Sequence, residues 1–200
     1  MIKFILFKKE EDKILSLKKN MDTNISRIII RKATQKDSVA VQRIYDNIHT
    51  EEENGRATIG WIRGIYPDAR TIKDALERQD LFVAETDGKI IGTVIFNQLQ
   101  VDSYKDAPWQ YDAPDSEIMV MHTLVIDPSE KGRGLGKEVA KFYEQYALDN
   151  GCHYLRIDTN EKNSTARSFY KKLGYKEIGI KGCTFNGIKG VNLVLLEKKI

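Results

Sequence analysis

Leu124-Val125-Ile126-Asp127-Pro128-Ser129-Glu130-Lys131-Gly132-Arg133-Gly134-Leu135-Gly136-Lys137 is the stretch that decides how this chain folds. Ile118 to Ile126 reads as a long strand, ended by Asp127-Pro128. Beyond the glycines, Val139, Phe142, Tyr143, Tyr146 and Ala147 form the apolar stripe of a helix that runs to Asn150, where Gly151 can end it. A strand therefore enters a glycine-rich turn that opens a helix. Successive backbone N–H groups in such a turn converge on an anion, and the helix dipole adds about half a positive charge. Glycine lets the backbone approach phosphate oxygens without a Cβ in the way. Lys131, Arg133 and Lys137 add cationic side chains. Two well-known phosphate loops do not fit. A G-x-G-x-x-G fingerprint would need glycine at 137, which is Lys, and a P-loop would need Ser or Thr where Glu138 follows Gly136-Lys137.

Working outward, Ile28-Ile29-Ile30 reads as a strand, and Asp37 caps a helix bearing Val39, Ile44 and Ile48. Thr71 to Gln79 reads as a short helix. Leu81–Ala84 and Ile90–Phe96 are two strands about the tight turn Asp87-Gly88. Residues 98–116 are irregular, and a loop of that length is usually functional or disordered. Tyr154–Ile157 is another strand, Asn163 caps a helix with Ala166, Phe169, Tyr170 and Leu173 on one face, and Gly174 stops it. Tyr175–Ile178 and Val191–Leu196 complete the strands. The fold class expected is mixed α/β.

Composition narrows the function. With 200 residues, 41% apolar, the chain can bury a sizeable core. Cys152 and Cys183 form neither a CxxC pair nor a disulfide framework, and the three histidines show no HExxH spacing, so no metal site is expected. No apolar run approaches the ~20 residues of a membrane span, and the first residues are too short an apolar stretch for a signal peptide. A soluble, cytoplasmic protein is expected. Residues 1–20 carry six Lys against Glu10, Glu11 and Asp12, which accounts for the whole formal charge of +3. The basic pI thus describes an N-terminal extension, 1–20, or an extra strand and helix packed on the body. Residues 21–200 form the balanced domain, without the basic face that nucleic-acid binding would want.

A second block, Asn163-Ser164-Thr165-Ala166-Arg167-Ser168-Phe169-Tyr170-Lys171-Lys172-Leu173-Gly174-Tyr175, joins the first. Together they resemble the GCN5-related N-acetyltransferase (GNAT) superfamily. Lys131-Gly132-Arg133-Gly134-Leu135-Gly136 is similar to its Gln/Arg-x-x-Gly-x-Gly/Ala motif except at the first position, where Lys keeps a donor. The second block is similar to its Asn-x-x-Ala-x-x-Phe-Tyr-x-x-Leu-Gly-Phe/Tyr helix. The resemblance covers about residues 81–179 and implies a twisted, mostly antiparallel mixed sheet flanked by helices, splayed at the coenzyme A-binding strand.

What that resemblance implies can be placed residue by residue. Acetyl-CoA is the expected co-substrate, its pantetheine arm pairing with the backbone of Leu124, Val125 and Ile126. Its pyrophosphate is expected on the amides from Gly132 through Arg133, Gly134, Leu135 and Gly136 to Lys137, beside Lys131. Asn163 would bond the arm, or serve only as a helix cap, and Ala166 would leave room for it. The implied reaction is acetyl transfer to a primary amine. An amine of pKa ~10 must lose a proton to attack, and a thiolate leaving group benefits from a proton donor. Tyr170 is the expected acid. His122, with an ordinary pKa near ~6.5, ranks first as base, then Glu117 acting through water, then Asp158. By strand alternation His122 and Glu117 point to opposite faces. The Val125 N–H is the expected oxyanion donor.

The acceptor is expected to be a small-molecule or peptide amine. The loop 98–116 has Asp102, Asp106, Asp112 and Asp115 against Lys105, with Tyr104, Trp109 and Tyr111 interleaved, and is expected either to cover a cationic amine or to tuck its rings into the core. Trp61 and Tyr66 would supply the opposite wall. A homodimer is compatible with the resemblance; nucleic acid and membrane partners are not expected. The competing readings are a catalytically silent coenzyme A sensor on the same fold, and a nucleic-acid or membrane-surface binder working through residues 1–20.

Overall fold

In the computed structural model, which describes residues 28–200, seven strands form a single sheet. They are β1 (Ile29–Lys32), β2 (Leu81–Thr86), β3 (Lys89–Asn97), β4 (Ile118–Ile126), β5 (Tyr154–Asn160), β6 (Lys176–Phe185) and β7 (Ile188–Lys199). Their order is β1-β2-β3-β4-β5-β7-β6, and every neighbouring pair is antiparallel except β4 and β5. Four helices flank the sheet: α1 (Ser38–Glu53), α2 (Ala69–Glu77), α3 (Leu135–Asp149) and α4 (Ser164–Lys172). The expected mixed architecture is the observed one. The proposed boundary between 1–20 and the body lies outside the described residues.

Local chemistry explains the elements. Asp87-Gly88 and Asn186-Gly187 each place two successive residues at positive φ, as a two-residue hairpin turn requires. The second turn carries β6 and β7 well beyond the strands expected at 175–178 and 191–196, and brings Phe185 to the tip. Asp37 does not cap α1. Its carboxylate accepts from the Thr34 N–H at 2.8 Å and from Arg31. Val39 is likewise solvent-exposed, and Val41, Ile44, Tyr45 and His49 are the residues α1 buries.

The sheet buries both faces. Val139, Tyr143 and Ala147 of α3 pack with Met119, Met121, Phe82 and Phe96 on one side, and α1 and α2 cover Val83, Ile95 and Val125 on the other. Loop 98–116 lies over a third cluster with Ile118, Val120 and Leu195. Its rings are committed there. Trp109 stacks on the Arg156 guanidinium at 3.9 Å and donates to the Tyr104 carbonyl at 3.0 Å, while Tyr111 packs on Tyr154. Arg156 pairs with Glu197 at 3.4 Å, both buried, and Glu197 also accepts from the Gln110 N–H at 2.9 Å. The loop is thus fastened to β5 and β7. Of the two readings of this loop, the rings of Trp109 and Tyr111 follow the one that tucks them into the body.

Candidate active site

The site is built on a strand that loses its neighbour. β4 pairs with β5 from Ile118 beside Tyr154 to Met121 beside Ile157, and there the pairing stops. β4 continues to Ile126, whereas Asp158, Thr159 and Asn160 pair only with β7. The two parallel strands therefore diverge from His122 onward, and backbone groups of β4 face a gap.

A bulge sets which residues face it. The β3–β4 register slips by one residue between Thr93 and Ile95, and Thr123 adopts φ 53° there. Before the bulge, Met119 and Met121 face α3. After it, Leu124 and Ile126 lean to that side and Val125 packs against α1. The Asp127 N–H donates to the Ile91 carbonyl at 2.8 Å, so by antiparallel alternation Val125 faces its Thr93 partner. The groups directed at the gap belong to Leu124 and Ile126. The expected oxyanion donor at Val125 is corrected on this ground.

The glycine turn sits at the end of the gap. Gly132 and Gly134 have φ 88° and 74°, and a Cβ at either would project into open space. Among the described residues, the N–H groups of 132 to 136 donate to no protein acceptor. Five N–H donors without protein acceptors at a helix start, with open space beside 132 and 134, fit a diphosphate. An open groove of about 450 Å³ runs from this turn along Ile126, Leu124, Ala166 and Phe169 to Tyr170. Lys131 and Lys137 line it; Arg133 does not, being ion-paired with Glu130. Asn163 caps α4 by accepting from the Ala166 N–H at 3.1 Å, while its amide also lines the groove. Asn163 is a helix cap in this structure, and it also stands on the groove where the expected bond to the arm would be made. The residues present therefore fit coenzyme A: an anion nest at one end, an apolar channel, and exposed strand amides at the other.

At Leu124, Asn163, Ala166 and Tyr170 the groove meets a second, enclosed chamber of about 100 Å³. Its walls include Trp61, Tyr66, His122, Asp158 and Phe185. Trp61 and Tyr66 stand on one wall of this chamber. Phe185 was not singled out in the sequence; the Asn-Gly turn after it was the available signal. On the far side Tyr66, His122 and Phe185 also line an open vestibule of about 460 Å³, together with Asp68, Asp74 and Arg78.

The candidate acid and bases separate clearly. Tyr170 is buried, and burial, then the Asp158 charge, raise its hydroxyl above the ordinary tyrosine value. That hydroxyl has no hydrogen-bond partner among the described residues. Burial also raises the Asp158 carboxyl to about 6, a hydrogen bond from Tyr104 partly opposing it. His122 goes the other way: burial lowers it to about 4, and its Nε2 contacts Asn97 Oδ1 at 2.9 Å. Glu117 lies in a 3-10 turn before β4, and its carbonyl accepts from the His153 N–H at the end of the strand remote from the gap. It lines neither chamber nor groove, so it does not begin the strand and is not brought to the site. Among the described residues, no group of three or more His, Cys, Asp or Glu is arranged to hold a metal, and no helix is long and apolar enough to cross a membrane.

Comparison with known proteins bears on this geometry. The profile of the Acetyltransferase (GNAT) family matches residues 41–175. The chain belongs to that family. An uncharacterized N-acetyltransferase of Methanocaldococcus jannaschii is 28% identical over 101 residues, 50% of this chain and 41% of that protein. The bovine thialysine N-epsilon-acetyltransferase is 31% identical over 70 residues, 35% of this chain and 41% of its own. The chain thus spans about two fifths of the length of these relatives. A GNAT-family acetyltransferase from Listeria monocytogenes superposes with a TM-score of 0.67 at 21% identity, covering 86% of this chain and 95% of its own. A Salmonella typhimurium protein solved with its cofactor acetyl-CoA does so at 0.60 and 16% identity, covering 86% and 93%. The shared fold agrees with the GNAT resemblance of the sequence.

Proposed function

We propose that this GNAT protein transfers an acetyl group from acetyl-CoA to a primary amine by direct attack, with Asp158 as base and Tyr170 as acid. The observation that carries the reading is the position of Tyr170: its free hydroxyl lies where groove and chamber meet. Bound acetyl-CoA supplies a thioester carbonyl as electrophile and a thiolate as leaving group. The N–H groups of 132 to 136 hold its diphosphate, and Leu124 and Ile126 offer strand amides to the pantetheine. The Leu124 N–H replaces Val125 as donor to the carbonyl oxygen.

Asp158 takes the first place given earlier to His122. At neutral pH both are in the basic form, but a carboxylate with a pKa of about 6 is a stronger base than an imidazole at about 4. Asp158 accepts the amine proton, and Tyr170 delivers a proton to the departing sulfur. A raised phenol pKa keeps that proton on Tyr170 until the thiolate develops. His122, at the passage to the vestibule, orients the acceptor.

An amine panel assayed by thiol release from acetyl-CoA tests the reading, together with coenzyme A calorimetry. Tyr170→Phe is expected to lower kcat by about 10²-fold or more while coenzyme A binding stays at the parental value. Parental turnover by Tyr170→Phe would remove the acid assignment. Coenzyme A binding with no turnover across the panel would favour a silent sensor.

A further inference from the structure

The acceptor chamber combines two features that no protein group satisfies. Asp158 is a half-buried carboxylate on the chamber wall, and its partner among the described residues is the neutral Tyr104 hydroxyl, with no cation in contact. A carboxylate in such a setting ordinarily has a cation beside it. Next to it stand three rings in a chain of edge contacts. Trp61 and Tyr66 lie 5.8 Å apart at 90°, and Tyr66 and Phe185 lie 5.5 Å apart at 83°. Perpendicular rings enclose a corner. The protein's own cations sit on other rings: Arg156 on Trp109, Lys198 on Tyr175, Lys199 on Tyr111 and Tyr154.

We infer that this chamber is a box for an alkylammonium ion, with Asp158 as counter-charge and Trp61, Tyr66 and Phe185 as ring faces. The inference deepens the acetyl-transfer reading and rests on it: the acceptor is an unhindered terminal amine that enters as its cation and is deprotonated in place. Cation–ring attraction strengthens where water is excluded, as in this enclosed space.

The rings of the box are carried by two separate elements, the loop before α2 and the β6–β7 hairpin. Trp61 follows Gly60, whose N–H, with that of Ile59, is held by the Glu52 carboxylate at 2.8 and 2.7 Å. Gly60 lies so close to Asn160 that an added Cβ would come within 2.3 Å of its amide. Tyr66 is tied to the bulge through the Thr123 hydroxyl, and Phe185 is carried in by the β6–β7 hairpin. The rest of the acceptor leaves past Tyr66 and Phe185 into the vestibule.

The test uses the coenzyme-free protein at pH 7.5 and the pair n-butylammonium and butan-1-ol, matched in length and differing in charge, with binding read by NMR titration. Butylammonium is expected to bind at least tenfold more tightly. Phe185→Leu and, separately, Trp61→Leu are expected to weaken butylammonium about 3- to 30-fold and leave butan-1-ol unchanged. Asp158→Asn is expected to abolish the preference. Equal binding of the two ligands, or unchanged butylammonium affinity in both ring variants, overturns the box. Coenzyme A calorimetry on the same samples keeps the two readings apart. Normal coenzyme A binding without charge preference sinks the box alone; loss of coenzyme A binding by the parental protein sinks the acetyl-transfer reading.

Discussion

The Tyr104 hydroxyl donates to Asp158 Oδ2 at 2.9 Å, across 54 residues of sequence. The bond favours the ionised carboxylate and opposes the burial that raises its pKa to about 6. Tyr66, Tyr170 and Cys183 feel the same charge. Burial raises all three, and His122 is neutral above about 4. The acidic limb of kcat/KM is therefore expected near pH 6 and belongs to Asp158. Tyr104→Phe removes the opposing bond, so the limb moves to higher pH. A pH–rate profile that stays in place would contradict this.

Asp158→Asn separates activity from stability. Its folded pKa is raised above the ordinary 3.8, so the native state disfavours ionisation. The associated stability is fully present below pH ~4 and is lost as pH rises through about 6. Asn, which never ionises, is expected to be more stable than the parent at pH 8 by roughly 1–3 kcal/mol. Turnover is expected to fall about 10²–10⁴-fold. Urea titrations at pH 5 and 8 check the sign: the gain shrinks at the lower pH.

Gly134→Val strikes the anion nest. The residue has φ 74°, which costs a β-branched side chain about 1–2 kcal/mol. Its Cβ would stand in the open space above the donors. A tenfold or larger loss of coenzyme A affinity, measured by calorimetry, is expected, with butylammonium binding unchanged.

Glu197→Ala leaves Arg156 buried without its carboxylate and frees the Gln110 N–H. A loss of about 3–5 kcal/mol in chemical denaturation is expected. Replacement of an exposed pair such as Lys141–Glu138 is expected to cost under 1 kcal/mol.

Much of the frame is legible locally. The ends of β4 and the extents of α3 and α4 follow from Asp127-Pro128, the glycines and Gly151, because each signal acts over a few residues. Strand alternation misleads at Thr123, where one inserted residue exchanges the faces of all that follow. Glu117 misleads similarly: its backbone turns before the strand begins. Charge and rings in loop 98–116 are visible in sequence, whereas Arg156 and Tyr154, which claim Trp109 and Tyr111, lie far along the chain.

By itself the sequence determined the strand, the glycine turn and the helix that make the anion nest, since main-chain donors need only correct neighbours. Tertiary structure alone decided which groups share the chamber. Trp61 and Tyr66, Asp158, Tyr170 and Phe185 come from four separate segments, brought together by sheet order and by the register of β4 against β3 and β5. A carboxylate's basicity depends on the water and charge around it, and for Asp158 that surrounding exists only once those segments have met.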